Sequence, residues 1–221
     1  KRPTADKTYV LALDPAAGTG GDNAAIQVIE LPTMTQVAEW CHNKTPVEGQ
    51  IRVMREILKE IDQYGAKEIY WTVENNSIGE AALVVIRDTG EENFPGNFLH
   101  DPVKVQGKRG RKGFHTSSKS KLDGCITLKR FIEQDKIKLF SDACIRELKT
   151  FVARGNSFSA QPGETDDLVM SLVICCRMIT YIASFEDDIF EVVNQNIGGD
   201  NKYDDDKPID EYDEPMPIGL L

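Results

Sequence analysis

The chain has 221 residues, 40% of them hydrophobic, which suits one core of ordinary size. A formal net charge of −10 looks wrong for a nucleic-acid partner until it is located: Glu186 to Glu214 holds 12 acidic and 2 basic residues, leaving 24 of each sign elsewhere, so acidity belongs to a tail. Five cysteines form no C-x-x-C pair and no segment has the pattern of a signal peptide or the length of a membrane span, which argues against structural zinc and for a reducing, cytosolic setting.

Apolar runs predict strands at about 8–14, 24–31 and 34–41, an antiparallel meander whose first turn is the Gly-rich stretch from Ala17 to Asp22. Ile51, Met54, Ile57, Leu58 and Ile61 at helical spacing, with Pro46 before them and Gly65 after, predict a helix over 46–64. A fourth strand is expected at 67–74, and Ser77 is expected to cap a helix to Arg87, with Glu80 at capping-box distance. Three strands, a helix and a fourth strand open the ribonuclease-H-like fold.

Residues 89–117 are irregular, with at most a short strand near 98–105. Next come a helix at about 118–134, a short strand at 136–140, a helix at about 142–150 and a hairpin over 151–160 turning at Gly155 and Asn156. Thr165 is expected to cap a last helix from Leu168 to Ala183, apolar nearly all round and so buried against the sheet. This divides the chain into a folded body, 1–185, and an acidic tail, 186–221, with too little apolar surface to fold alone, although Ile189, Phe190, Val192 and Val193 offer packing residues. The opening Lys1, without an initiating Met, reads as a domain cut from a larger protein.

Three carboxylates stand where elements end or begin: Asp14 after the first strand, Glu74 after the fourth and Asp167 at the head of the last helix, with Asp166 beside it. A carboxylate at the edge of a buried sheet is costly unless something compensates it. Converging carboxylates make an oxygen-rich site for Mg²⁺ or Mn²⁺, and two such ions about 3.5–4 Å apart can activate water and stabilise the leaving oxygen of a phosphodiester. Asp22 is placed to return to the same rim across the hairpin. Each acid alone has an ordinary reading as well: a solvated loop, a solvated strand end, or a helix N-terminus favoured by the dipole. A phosphate-cradling loop is excluded at Asp14, since no Gly-Lys-Ser or Gly-Lys-Thr follows. The three histidines are scattered and read as surface or satisfied side chains.

From Val103 to Leu122 the chain carries Lys104, Lys108, Arg109, Arg111, Lys112, Lys119 and Lys121 and no acid. In a body of zero net charge this stretch is the candidate DNA-backbone contact, the alternative being a solvated loop.

The stretch Asp14 to Asp22, Glu74 with Asn75 and Asn76, and the run Thr165 to Leu172 resemble the nuclease domain of the large terminase subunit of tailed bacteriophages, particularly the T-even-like group. The resemblance spans about residues 8–185. It implies a ribonuclease-H-like α/β fold of the RuvC/integrase type, a mixed sheet flanked by helices, and an endonuclease that uses Mg²⁺ or Mn²⁺, two ions per site, to cut concatemeric viral DNA. It implies Asp14, Glu74 and Asp167 as catalytic metal ligands, with Asp166 and Asp22 accessory. Implied partners are double-stranded DNA, the portal, the small terminase subunit and an N-terminal ATPase domain, in the cytoplasm of an infected bacterium and transiently at the procapsid portal, with no membrane. The chain contains no Walker motif, so cutting is expected without translocation. A junction resolvase or transposase on the same fold, or a silent DNA-binding module, remain the alternatives.

Overall fold

The computed structural model describes residues 3–102, 111–155 and 157–195. Strands β1 (Thr8–Asp14), β2 (Ala24–Leu31) and β3 (Thr35–His42) form the expected antiparallel meander, and β4 (Glu68–Val73) joins β1 in parallel after helix α1 (Val47–Gln63). Helix α2 (Ser77–Thr89) leads to a two-residue strand β5 (Asn97–Phe98) parallel to β4, completing a five-stranded mixed sheet in the order β3-β2-β1-β4-β5. Helices α3 (Ser118–Glu133) and α4 (Asp142–Thr150), the hairpin β6 (Phe151–Arg154) and β7 (Ser157–Ala160), and helices α5 (Asp167–Ile182) and α6 (Asp187–Asn194) follow.

The sheet is buried on both faces because helices cover both. Strand side chains alternate, so Tyr9, Leu11 and Leu13 of β1 pack with Ile69, Trp71 and Val73 of β4 under α1 and α2. Val10 and Ala12 point the other way, into a second core closed by α3 to α6. This explains why β1 and β4 read as continuous apolar runs rather than alternating ones. Helix α5 is the central element of that second core: twelve of its residues are buried, and the buried Ser171 hydroxyl donates to the Ala12 carbonyl at 2.9 Å. No single helix among the described residues is long and apolar enough to cross a membrane.

Local punctuation departs from expectation at four places. Helix α2 is capped by Asn76, whose side-chain oxygen accepts from the Ile78 and Gly79 amides; Ser77 is already the first helical residue. Residues 136–140 make only a single bridge, Lys138 to Thr35, because the buried Gln36 side chain takes the amides of Phe140 and Ser141 and bends the chain into α4. The strand expected near 98–105 is confined to Asn97–Phe98 in the described part, its remainder from 103 lying outside the described residues. Thr165 does not cap α5: its hydroxyl donates to Glu147 of α4, and the other Glu147 oxygen accepts the Val169 amide, so the first turn is capped from a neighbouring helix. Within the acidic stretch, α6 folds onto the body, burying Ile189 and Val193.

Candidate metal centre and DNA interface

Asp14 and Glu74 are brought together by the parallel pairing of β1 and β4. Leu13 pairs with Val73, and the Glu74 amide donates to the Leu13 carbonyl at 2.8 Å, so both acids emerge at the same end of adjacent strands. Carboxyl ends of parallel strands are where open α/β sheets hold their ligands. The Ser171 contact to Ala12 fixes α5 along β1, and one helical turn earlier Asp167 arrives beside Asp14. Asp166 precedes it, its carboxylate accepting from the Ala160 amide at 3.2 Å.

The loop after Asp14 is held from beneath. Gln50, fully buried in α1, donates to the Ala16 carbonyl at 2.7 Å and accepts from the Ala16 amide at 3.3 Å. Gly18 lies at φ +73°, and a side chain there would meet the Thr45 carbonyl, so this turn requires glycine.

Neutral amides orient the acids. Asn23, between the loop and β2, donates through its side chain at 2.8 Å and its backbone at 3.2 Å to one oxygen of Asp167. The Asn76 side chain donates to Glu74, which is only 6% exposed. Burial, then the charge of Glu74 and a hydrogen bond with it, then the charges of Asp167 and Asp166 hold the Asp14 carboxyl well above the usual carboxylate range. Burial also raises Asp167, opposed by the Asn23 hydrogen bonds and reinforced by Asp166 and Asp22. Asp22 is thereby placed near the cluster although it is exposed.

Among the described residues no three His, Cys, Asp or Glu side chains are already grouped as a cage for an ion. The donor set nonetheless fits a hard divalent cation. Every candidate ligand is a carboxylate, and the burial and mutual repulsion that raise Asp14 are what a positive ion at that edge would offset.

Of the expected basic contacts, Lys104, Lys108 and Arg109 lie outside the described residues. Arg111 and Lys112 line a groove of about 590 Å³ with Asn75 and Asn76, directly beyond Glu74. Lys112 also pairs with Glu91 at 3.0 Å, both exposed. Lys119 and Lys121 stand in the first turn of α3, with the Lys121 ammonium 5.9 Å from the Phe151 ring. Sequence reasoning missed Asn23, Gln50 and Glu147. Only Asn23, directly before a strand and near Asp22, carried any local signal.

The family described as the terminase RNaseH-like domain matches residues 11–175, spanning the three carboxylate positions. The chain belongs to that family. Membership makes it the nuclease domain of a DNA-packaging terminase. Solved structures of similar fold include the large terminase nuclease of thermophilic phage G20c with bound magnesium, at 16% identity and a TM-score of 0.61, covering 80% of this chain and 84% of that one. The large terminase nuclease domain of Thermus phage P74-26 gives 18% identity and a TM-score of 0.57, covering 79% of this chain and 81% of that one. The human cytomegalovirus terminase nuclease domain, soaked with manganese, gives 15% and 0.53, covering 82% and 93%. At such identities the likeness shows the fold that this terminase domain shares with them.

Proposed function

We propose that this terminase domain is an endonuclease that hydrolyses phosphodiesters of double-stranded viral DNA with two Mg²⁺ or Mn²⁺ ions held by Asp14, Glu74 and Asp167, with Asp166 and Asp22 as outer carboxylates. The observation that carries the assignment is the convergence of Asp14 and Glu74 at the end of two parallel strands with Asp167 and Asp166 at the start of α5, set along β1 by Ser171. Magnesium in the G20c relative and manganese in the cytomegalovirus one support the choice of ions. Bound there, the ions would supply an activated water and charge stabilisation at the leaving oxygen.

The chain's own residues prepare that site. With a cation bound there, Asp14 would favour its ionised form. Asn23 and Asn76 hold the other carboxylates in fixed orientations, and Gln50 anchors the loop after Asp14 at Ala16. Arg111 and Lys112, with Lys104, Lys108, Arg109, Lys119 and Lys121 of the same stretch, act on the DNA backbone without reading sequence. By family, the domain works beside an ATPase domain, the portal and the small terminase subunit, in the infected bacterial cell.

The test is incubation of linear duplex, supercoiled plasmid and four-way junctions with Mg²⁺, Mn²⁺ or chelator. Cleavage of plasmid and duplex that requires the ion is expected. No cleavage under any ion sinks the proposal, and a strong preference for junctions turns it toward a resolvase.

A further inference from the structure

The groove beyond Glu74 is walled on one side by Arg111, Lys112 and His115, and His115 is held far more firmly than a surface histidine needs to be. Its backbone sits in a short segment that extends the sheet. The Phe114 amide donates to the Val73 carbonyl at 3.0 Å, and the Asn75 amide donates back to the Phe114 carbonyl at 2.8 Å. Gly113 makes this approach possible, at φ +71° and where a Cβ would run into the Val73 carbonyl. From behind, the His115 amide donates to Asp101 at 2.6 Å, and Arg177 of α5 donates to both Asp101, at 2.8 Å, and the His115 carbonyl, at 3.2 Å. The Arg177 guanidinium also lies 5.0 Å from the Phe114 ring.

The ring itself has a fixed tautomer. Nδ1 lies 2.9 Å from the Asn75 carbonyl, and a carbonyl only accepts, so Nδ1 carries the hydrogen. Nε2 is left without a partner among the described residues, on a half-buried ring lining the groove that begins one residue after Glu74.

We infer that His115 is a DNA-contacting residue of the nuclease, presenting Nε2 as the donor to a phosphate oxygen of the strand that runs from the carboxylate cluster into this groove, with Arg111 beside it. The inference rests on the nuclease reading. The ligand is a nucleic-acid phosphodiester, bound by the imidazolium form of the ring, in which both nitrogens donate: Nε2–H to the phosphate oxygen and Nδ1–H to the Asn75 carbonyl. The double bracing from Asp101 and Arg177 serves to hold that nitrogen at one distance from the cut strand.

Two substitutions separate this role from mere scaffolding. His115→Asn keeps an N–H donor near the place of Nδ1 and so keeps the bond to Asn75, but has nothing at Nε2. His115→Gln reaches the Nε2 position and gives up the Asn75 bond. With the full chain, Mn²⁺ and a linear duplex as substrate, His115→Asn is expected to melt like wild type while its Kd and KM for DNA rise about tenfold, the worth of one hydrogen bond to a charged group. His115→Gln is expected to retain DNA affinity between wild type and Asn. Unchanged DNA affinity in His115→Asn overturns the inference, as does a loss in both variants that merely follows a lowered melting temperature. A wild-type chain that cuts nothing with any ion removes the nuclease reading, and this inference with it.

Discussion

Asp14 shows how a single side chain can be both a liability and the reason for a site. Its carboxyl is raised by burial and by three neighbouring acids, and a raised folded value has a definite sign. Such a group favours the fold fully below the ordinary carboxylate range and loses that contribution as pH rises through the raised value. In chelator, Asp14→Asn is therefore expected to melt above wild type on the alkaline side of the raised value, with the gap shrinking as pH falls into the ordinary carboxylate range; a variant that melts lower throughout would mean that the acids do not repel. Divalent ions should raise the wild-type melting temperature and leave Asp14→Asn less affected. Activity goes the other way. Asp14→Asn, Glu74→Gln and Asp167→Asn are each expected to lose at least about 100-fold in cleavage, since changes one shell further out already cost 10–100-fold. Wild-type cutting by any of the three removes that position from the ligand set.

At the scale of elements, α5 does most to build the site, because one helix buries its length in the core and delivers Asp167 in its first turn with Asp166 just before it. Its N-terminus is capped by Glu147 from α4, a carboxylate that burial raises and that the Thr165 and Val169 hydrogen bonds lower. Glu147→Ala is expected to destabilise the domain by about 1 kcal/mol, as for the loss of a helix cap. It should also slow cleavage, because the first turn that carries Asp167 then frays. Thr165→Ala removes one hydrogen bond on the exposed side and should change stability less; chemical denaturation of the two variants decides the order. The stretch ahead of α3 acts on another quantity. Neutralising Lys108, Arg109, Arg111 and Lys112 together is expected to weaken DNA binding evenly across sequences and to flatten its salt dependence, since each phosphate contact releases counterions. Sequence-selective loss of binding would refute a backbone role.

For the whole molecule, the acidic C-terminal stretch has two parts with different physics. Residues 187–194 bury Ile189 and Val193, and the Lys136 ammonium donates to the Val193 carbonyl at 2.7 Å. Truncation after 186 should therefore destabilise the domain by several kcal/mol, about 1.5–3 for each fully buried aliphatic side chain. Residues 196–221 carry 8 acids and 2 bases. Removing them is expected to strengthen DNA binding most at low salt, where a polyanion competes best with DNA. Equal binding by the two chains at low ionic strength would reduce that segment to a spacer or docking tail.

Period and punctuation determined most of the elements. Apolar runs of strand length at 8–14 and 24–31, helical spacing between Ile51 and Ile61, and the all-round apolar α5 each follow from what the local chain must bury. The order in which Asp14, Glu74 and Asp167 fall on those elements was legible too, because a carboxylate at the end of a buried run has few places to go. Tertiary structure decided what depends on partners far away in the chain. Glu147 caps α5 from 22 residues upstream of Val169, Asn23 holds Asp167 across 144 residues, and Gln50 brackets Ala16 across 34. No local pattern marks such residues, since a polar side chain looks the same in sequence whether water or a buried amide satisfies it. The fixed tautomer of His115 belongs to the same class: it arises only because β4, α5 and the segment at 113–115 meet at one edge of the sheet.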